Sequence, residues 1–126
     1  MKELENKFIS TITQILTISC TDKKDFVVIL DKLNISAWLN FIEQMLSDPK
    51  NSRIIKGLQI DNKLTREELK RMANDFVSEL SINNYDCIDM LRKSYLIILH
   101  EFVTEIGKDL SNNEVAGYRK IISNAI

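Results

Sequence analysis

The side chains with catalytic potential are few and poorly placed for it. His100 is the only histidine and sits between Leu99 and Glu101, so a Ser-His-Asp or Cys-His arrangement would need partners supplied from far along the chain. Glu67 with Glu68, and Glu101 with Glu105, are the carboxylate pairs that invite thoughts of general acid–base work. Adjacent residues of a helix face apart, however, and an i,i+4 pair belongs on a solvated face. Cys20 and Cys87 are the only cysteines; far apart and without CxxC spacing, they signal neither a disulfide framework nor a zinc site and read as reduced, partly buried thiols. There is no glycine-rich phosphate loop, no HExxH and no DxDxDG calcium loop. The expectation is a protein that is not an enzyme, uses no metal or other cofactor, and keeps His100 as a half-exposed structural residue.

With catalysis set aside, composition narrows the remaining classes. A chain of 126 residues suits one domain, burying roughly two thirds of its unfolded surface around one core. Apolar residues make up 44% and charged residues 28%, the balance of a globular protein and not of a disordered tail. A net charge of -1 argues against nucleic acid as a partner, because neutralising phosphates takes a basic excess. The opening MKELENKF lacks the apolar run and cleavage site of a signal peptide, and no stretch reaches the roughly 18 apolar residues of a membrane span. A soluble intracellular protein is expected.

The apolar spacing predicts helices throughout. Leu4 to Ile18 is the first, its apolar residues spread over about half the circumference. Thr21 or Asp22 caps a second, Lys23 to Leu33, in which the run Phe26 to Leu30 resembles a buried strand but finds no partner strand. Ser36 caps a third, Ala37 to Leu46. Asp48 followed by Pro49 starts a short fourth helix to Lys56, with Gly57 as its left-handed stop. Thr65 and Glu68 form a capping box, with Leu64 and Leu69 as its hydrophobic staple, for a helix running to about Ser81 with Leu69, Met72, Ala73, Phe76, Val77 and Leu80 on one face. Asp86 caps the Cys87 to Ile106 stretch and Gly107 ends it. Ser111 with Glu114 is a second capping box, for a last helix that Gly117 weakens and that returns Val115, Tyr118, Ile121, Ile122 and Ala125 to the core. The fold class expected is an all-α bundle of six to seven short helices around a central helix.

Cys87 to Ile106 spreads its apolar residues over an arc of about 160°, wider than a one-sided stripe, so it needs neighbours on several sides. Met90 and Ile97 fall outside that arc and suggest a second contact face. Thr65 to Ser81 is nonetheless taken as the middle of the bundle, with Cys87 to Ile106 on its flank. The short second to fourth helices carry more large apolar residues than three such helices need to cover one core. Leu30, Leu33, Trp38, Ile42, Met45 and Ile54, laid over Arg66, Leu69 and Met72, are the candidate lining of a groove for a partner's amphipathic helix.

From Val27 to Leu110 the order of the segments resembles the small poxviral Bcl-2-like proteins, intracellular virulence factors of the vaccinia type. The matching pieces are Leu30-Asp31-Lys32-Leu33, then Leu46-Ser47-Asp48 with a proline close behind, then Leu58-Gln59 leading to Lys70-Arg71-Met72. The last runs from Tyr95 through Ile98, Leu99 and Phe102 to Asp109-Leu110. The resemblance implies a Bcl-2-like fold and a non-enzymatic inhibitor in the cytoplasm of the host cell. Its partners would be host apoptotic or innate-signalling proteins, met by groove capture of pro-apoptotic helices or by inhibition of NF-κB signalling. It also implies a homodimer, with Met90 and Ile97 as candidates for the dimer face. Where cellular Bcl-2 relatives carry Asn-Trp-Gly-Arg, this chain has Lys63-Leu64-Thr65-Arg66; Arg66 keeps the charge without the motif, which shifts the expectation toward signalling inhibition. The alternative reading is a small bacterial or phage helical inhibitor of the immunity type, favoured if the helices do not surround Thr65 to Ser81.

Overall fold

Helix α1, Lys2–Ile18, is followed by α2, Lys23–Leu46. The Asp22 carboxylate accepts the Lys24 N–H at 3.1 Å, making Asp22 the cap of α2. A computed structural model describes residues 2–19, 21–46, 65–79 and 83–126. The predicted helix after Asp48 and Pro49, the Gly57 stop, Leu64 of the staple, Cys20, Ile54, Leu80 and the side chains of Leu46 and Phe76 lie outside the described residues. Helix α3, Arg66–Glu79, and α4, Asn84–Ile106, follow; a 3-10 turn, Gly107–Asp109, leads to α5, Asn112–Ala125. Among the described residues the architecture is all-α, with five α-helices where the sequence predicts six to seven for the whole chain.

Part of that difference is α2, which is one continuous helix and not two. At 100° per residue, Phe26, Ile29, Leu30 and Leu33 of its first half point roughly 100° away from Ala37, Trp38, Phe41, Ile42 and Met45 of its second half. Each half looks like its own amphipathic helix because each meets different neighbours. Nothing breaks the backbone between them, since Lys23–Leu46 holds neither Gly nor Pro. Ser36, expected as an N-cap, donates its hydroxyl to the Lys32 carbonyl at 2.9 Å, the back-bond of a helix interior. The hydroxyls of Thr11, Thr13 and Thr17 do the same in α1, reaching the carbonyls four residues back at 2.7 to 2.8 Å.

The N-cap half of each predicted capping box forms, while the Glu68 and Glu114 carboxylates accept from the Thr65 and Ser111 hydroxyls at 3.1 Å in place of the caps' backbone N–H groups. The Glu68 N–H donates to Thr65 Oγ1 at 3.3 Å and the Glu114 N–H to Ser111 Oγ at 3.3 Å. At α4 the cap is Asn83, not Asp86: Asn83 Oδ1 accepts the Asp86 N–H at 2.8 Å, and Asn83 Nδ2 donates to the Asp86 carboxylate at 2.8 Å. Gly107 ends α4 in right-handed geometry (φ -73°), so its backbone would suit any residue. A Cβ there would lie 2.8 Å from Val115 Cγ2; the glycine serves close approach of α5.

The centre of the bundle is α4. It packs against α1, α2 and α5 and buries Cys87, Leu91, Tyr95, Ile98, Leu99 and Val103, each large apolar side chain contributing about 1.5–3 kcal/mol. Tyr95 stacks on Phe8 of α1 with ring centroids 4.3 Å apart. Helix α3, expected in the middle, lies at the edge: its principal neighbour among the described helices is α2, and Leu69 and Ala73 are its buried side chains, with Met72 and Val77 half-buried. The reason is compositional, since Arg71, Asn74, Asp75 and Ser78 line its exposed side. Ile18, counted with the apolar side of α1, is 53% exposed. One core cluster nevertheless joins side chains of all five helices, and no described helix is long and apolar enough to cross a membrane.

Candidate functional site

A groove runs between the first half of α2 and the second half of α4. The two helices are antiparallel, as Gln44 shows by donating to Ser94 Oγ at 2.6 Å near the opposite end of the seam. Ile29 and Leu33 lie one turn apart on α2 and face Ile98 and Phe102, one turn apart on α4. These four line a cleft of about 330 Å³ whose remaining walls are Lys32, Ser36, Glu101 and Glu105. Ile98 is buried and the other three apolar residues are half-buried, while Lys32, Glu101 and Glu105 are exposed. The result is an apolar floor with one basic and two acidic residues at its rim. Glu105 also pairs with Lys108 at 3.1 Å. Such a surface accepts apolar side chains presented at helical spacing and favours a basic residue beside them.

A polar cluster on the other side of α2 is held by residues far apart in sequence. Helices α1 and α3 both lie on α2, and Lys70 Nζ reaches both Glu5 carboxylate oxygens at 2.8 Å across the gap. The Glu5 side chain is 16% and the Lys70 side chain 29% exposed, so water screens this pair less than a surface one. Asn34, buried in α2, donates Nδ2 to the same carboxylate at 3.3 Å; since a carboxylate only accepts, the amide orientation is settled. Lys70 also sits 5.7 Å from the Trp38 ring centroid. Burial pushes the Tyr95 phenol well above its ordinary range, and the Glu5 carboxylate adds to the effect. Tyr95 is therefore a neutral phenol at neutral pH. Asn34 Oδ1, Trp38 Nε1 and Tyr95 Oη have no hydrogen-bond partner among the described residues.

His100 bridges α4 to α5. Arg119 Nη1 lies 2.9 Å from His100 Nδ1, and Arg119 Nη2 donates to Thr104 Oγ1 at 3.0 Å. Facing a guanidinium, which only donates, Nδ1 is the accepting nitrogen of a neutral imidazole. Burial lowers the His100 pKa and the Arg119 charge lowers it further. Its Nδ1 is thus paired with a cation. Of the imagined carboxylates, Glu67 is exposed and pairs with Arg66 at 3.1 Å. Its own backbone hydrogen bond, then Arg66, hold its pKa below the ordinary value. Cys87 is buried, which raises its thiol pKa. Among the described residues no three His, Cys, Asp or Glu gather as a metal site.

The predicted groove residues divide sharply. Trp38, Ile42, Met45 and Leu69 are at most 2% exposed and belong to the core. Leu30 and Met72 are half-buried, and Arg66 is half-buried with its guanidinium on Glu67. Of the set's described members, Leu33 alone lines the α2–α4 groove. Of the predicted dimer face, Met90 is half-buried at the α2–α4 seam, where its carbonyl accepts from Ser94 Oγ at 3.1 Å, while Ile97 is 40% exposed. Ile29, Ile98 and Phe102 were legible as apolar residues but not as partners, because their pairing depends on which helices face each other. No protein-family model, no curated protein and no solved structure matches the chain.

Proposed function

We propose that this protein acts by binding another protein and that the α2–α4 groove is the docking site. The observation that carries this reading is the groove itself: Ile29, Leu33, Ile98 and Phe102 form an apolar floor between two helices, under a rim of Lys32, Glu101 and Glu105. The partner segment that fits is an amphipathic helix with apolar residues one turn apart and a lysine or arginine next to them.

Within that reading, the edge position of α3 supports a small helical inhibitor of the immunity type over a viral Bcl-2-like suppressor of host defence, whose central helix would be α3. The viral reading rests on the ordered segments from Leu30 to Leu110. It predicts that pro-apoptotic helix peptides bind, or that NF-κB reporter output falls in cells expressing the protein. No binding tighter than about millimolar, with an unchanged reporter, sinks it.

The groove itself is tested with a displayed library of helical peptides selected against the wild-type protein and counter-screened on a Glu101→Lys, Glu105→Lys variant. The expected outcome is a set of basic amphipathic peptides that bind the variant about tenfold or more weakly. Selection that yields no binders, or binders indifferent to the rim charges, contradicts the proposal.

A further inference from the structure

The flank of α2 opposite the groove carries a second surface. At 100° per residue Lys24, Val27, Val28, Asp31 and Ile35 share one stripe roughly 100° wide. Val27 is 73% and Val28 66% exposed, more than any other large aliphatic side chain described. A cleft of about 730 Å³ adjoins the stripe, lined in addition by Ile9, Leu30 and Arg66. These two neighbouring valines are bare on a helix whose other described apolar residues are buried or half-buried.

The charge order of the stripe identifies an occupant. Lys24 stands at one end and Asp31 at the other, with the valines between them. Two copies of α2 laid antiparallel about a two-fold axis between Val27 and Val28 place Lys24 opposite the partner's Asp31, because both lie equally far from that axis. The same rotation sets Val27 beside the partner's Val27 and Val28 beside the partner's Val28, one pair on each side of the axis. Symmetry repeats each contact, so one sequence supplies two ion pairs around four valines. Neither charge is otherwise engaged strongly: Lys24 is 3.7 Å from Asp22 in an exposed pair, of the kind worth little, and Asp31 makes no ion pair among the described residues.

We infer that the protein self-associates as a two-fold dimer through this α2 stripe, and not through Ile97. The adjoining cleft shares Lys32 and Ser36 with the α2–α4 groove, but none of Lys24, Val27, Val28, Asp31 and Ile35 lines that groove, and the inference does not rest on the function proposed above.

The test is analytical ultracentrifugation of wild type, Asp31→Lys, Lys24→Glu and the double charge swap, at protein concentrations up to about 100 μM. The wild type should show concentration-dependent dimer. Each single reversal sets like charges together at two sites and should weaken the dimer about tenfold or more, whereas the double swap restores the pairing and the dimer. Both substituted positions are exposed, and circular dichroism checks that each variant is folded. A monomeric wild type overturns the inference, as do single reversals that leave the dimer intact or a double swap that stays monomeric. Loss of the dimer in Ile97→Glu with no loss in Asp31→Lys assigns the interface to α4 and overturns it equally.

Discussion

The contacts that tie the helices together at single residues are those between side chains far apart in sequence. Lys70→Met should destabilise the protein by about 1–3 kcal/mol, because it leaves the largely buried Glu5 carboxylate with Asn34 as its remaining partner. Combining it with Glu5→Gln should recover part of the loss, and urea unfolding of the four-member cycle measures the coupling. Purely additive effects would show that the bridge contributes nothing. The His100 contact predicts a pH dependence with a definite sign. Because burial and Arg119 lower the folded-state pKa, the folded protein binds fewer protons than the unfolded chain between the two pKa values, and stability rises with pH there. That contribution is present above the unfolded value of about 6.5 and is lost as pH falls toward the folded one. Urea unfolding should show wild type losing more stability than His100→Gln on acidification; parallel losses would contradict the linkage. The Thr65 with Glu68 and Ser111 with Glu114 boxes were legible in the sequence because three residues separate the partners. Glu5 with Lys70 and His100 with Arg119 were not, because no local pattern reports which helices will lie side by side.

At the scale of the helices, periodicity located α1, α3, α4 and α5 to within a few residues and misread α2. Its apolar face swings around the helix near Asn34, since the first half meets α4 while the second half is enclosed by α3 as well, and a swing in pattern resembles a break. Ser36→Ala distinguishes the two. In the interior of a continuous helix it should change stability by less than about 0.5 kcal/mol, whereas loss of an N-cap costs about 1 kcal/mol. The glycines separate in the same way. Gly117 is exposed in α5 with nothing within 4 Å of an added Cβ, so Gly117→Ala should stabilise by about 0.5–1 kcal/mol. Gly107→Ala drives a methyl to 2.8 Å from Val115 and should destabilise. Thermal unfolding of both variants that moved the midpoint in the same direction would contradict the packing of α4 against α5.

For the molecule as a whole, the wide apolar arc of α4 was the sound signal, because a helix that is apolar over an arc of about 160° has to be enclosed. The clear cap of α3 marks where a helix begins and says nothing of how deeply it is buried, and giving it the centre was the error. Amide hydrogen exchange should rank Leu91 to Val103 slowest and α3 faster; the reverse order would restore α3 to the middle. The groove was half visible, since Leu33 was among its candidates, while Ile98 and Phe102 became partners of Leu33 only once α2 and α4 lay antiparallel. The most direct test of binding in that groove is nuclear magnetic resonance of the isotope-labelled protein, titrated with a selected basic amphipathic peptide. Shifts concentrated at Ile29, Leu33, Ile98 and Phe102, and reduced in the Glu101→Lys, Glu105→Lys variant, are the predicted result. Shifts confined to α3 and α5, with those four residues unmoved, would contradict it.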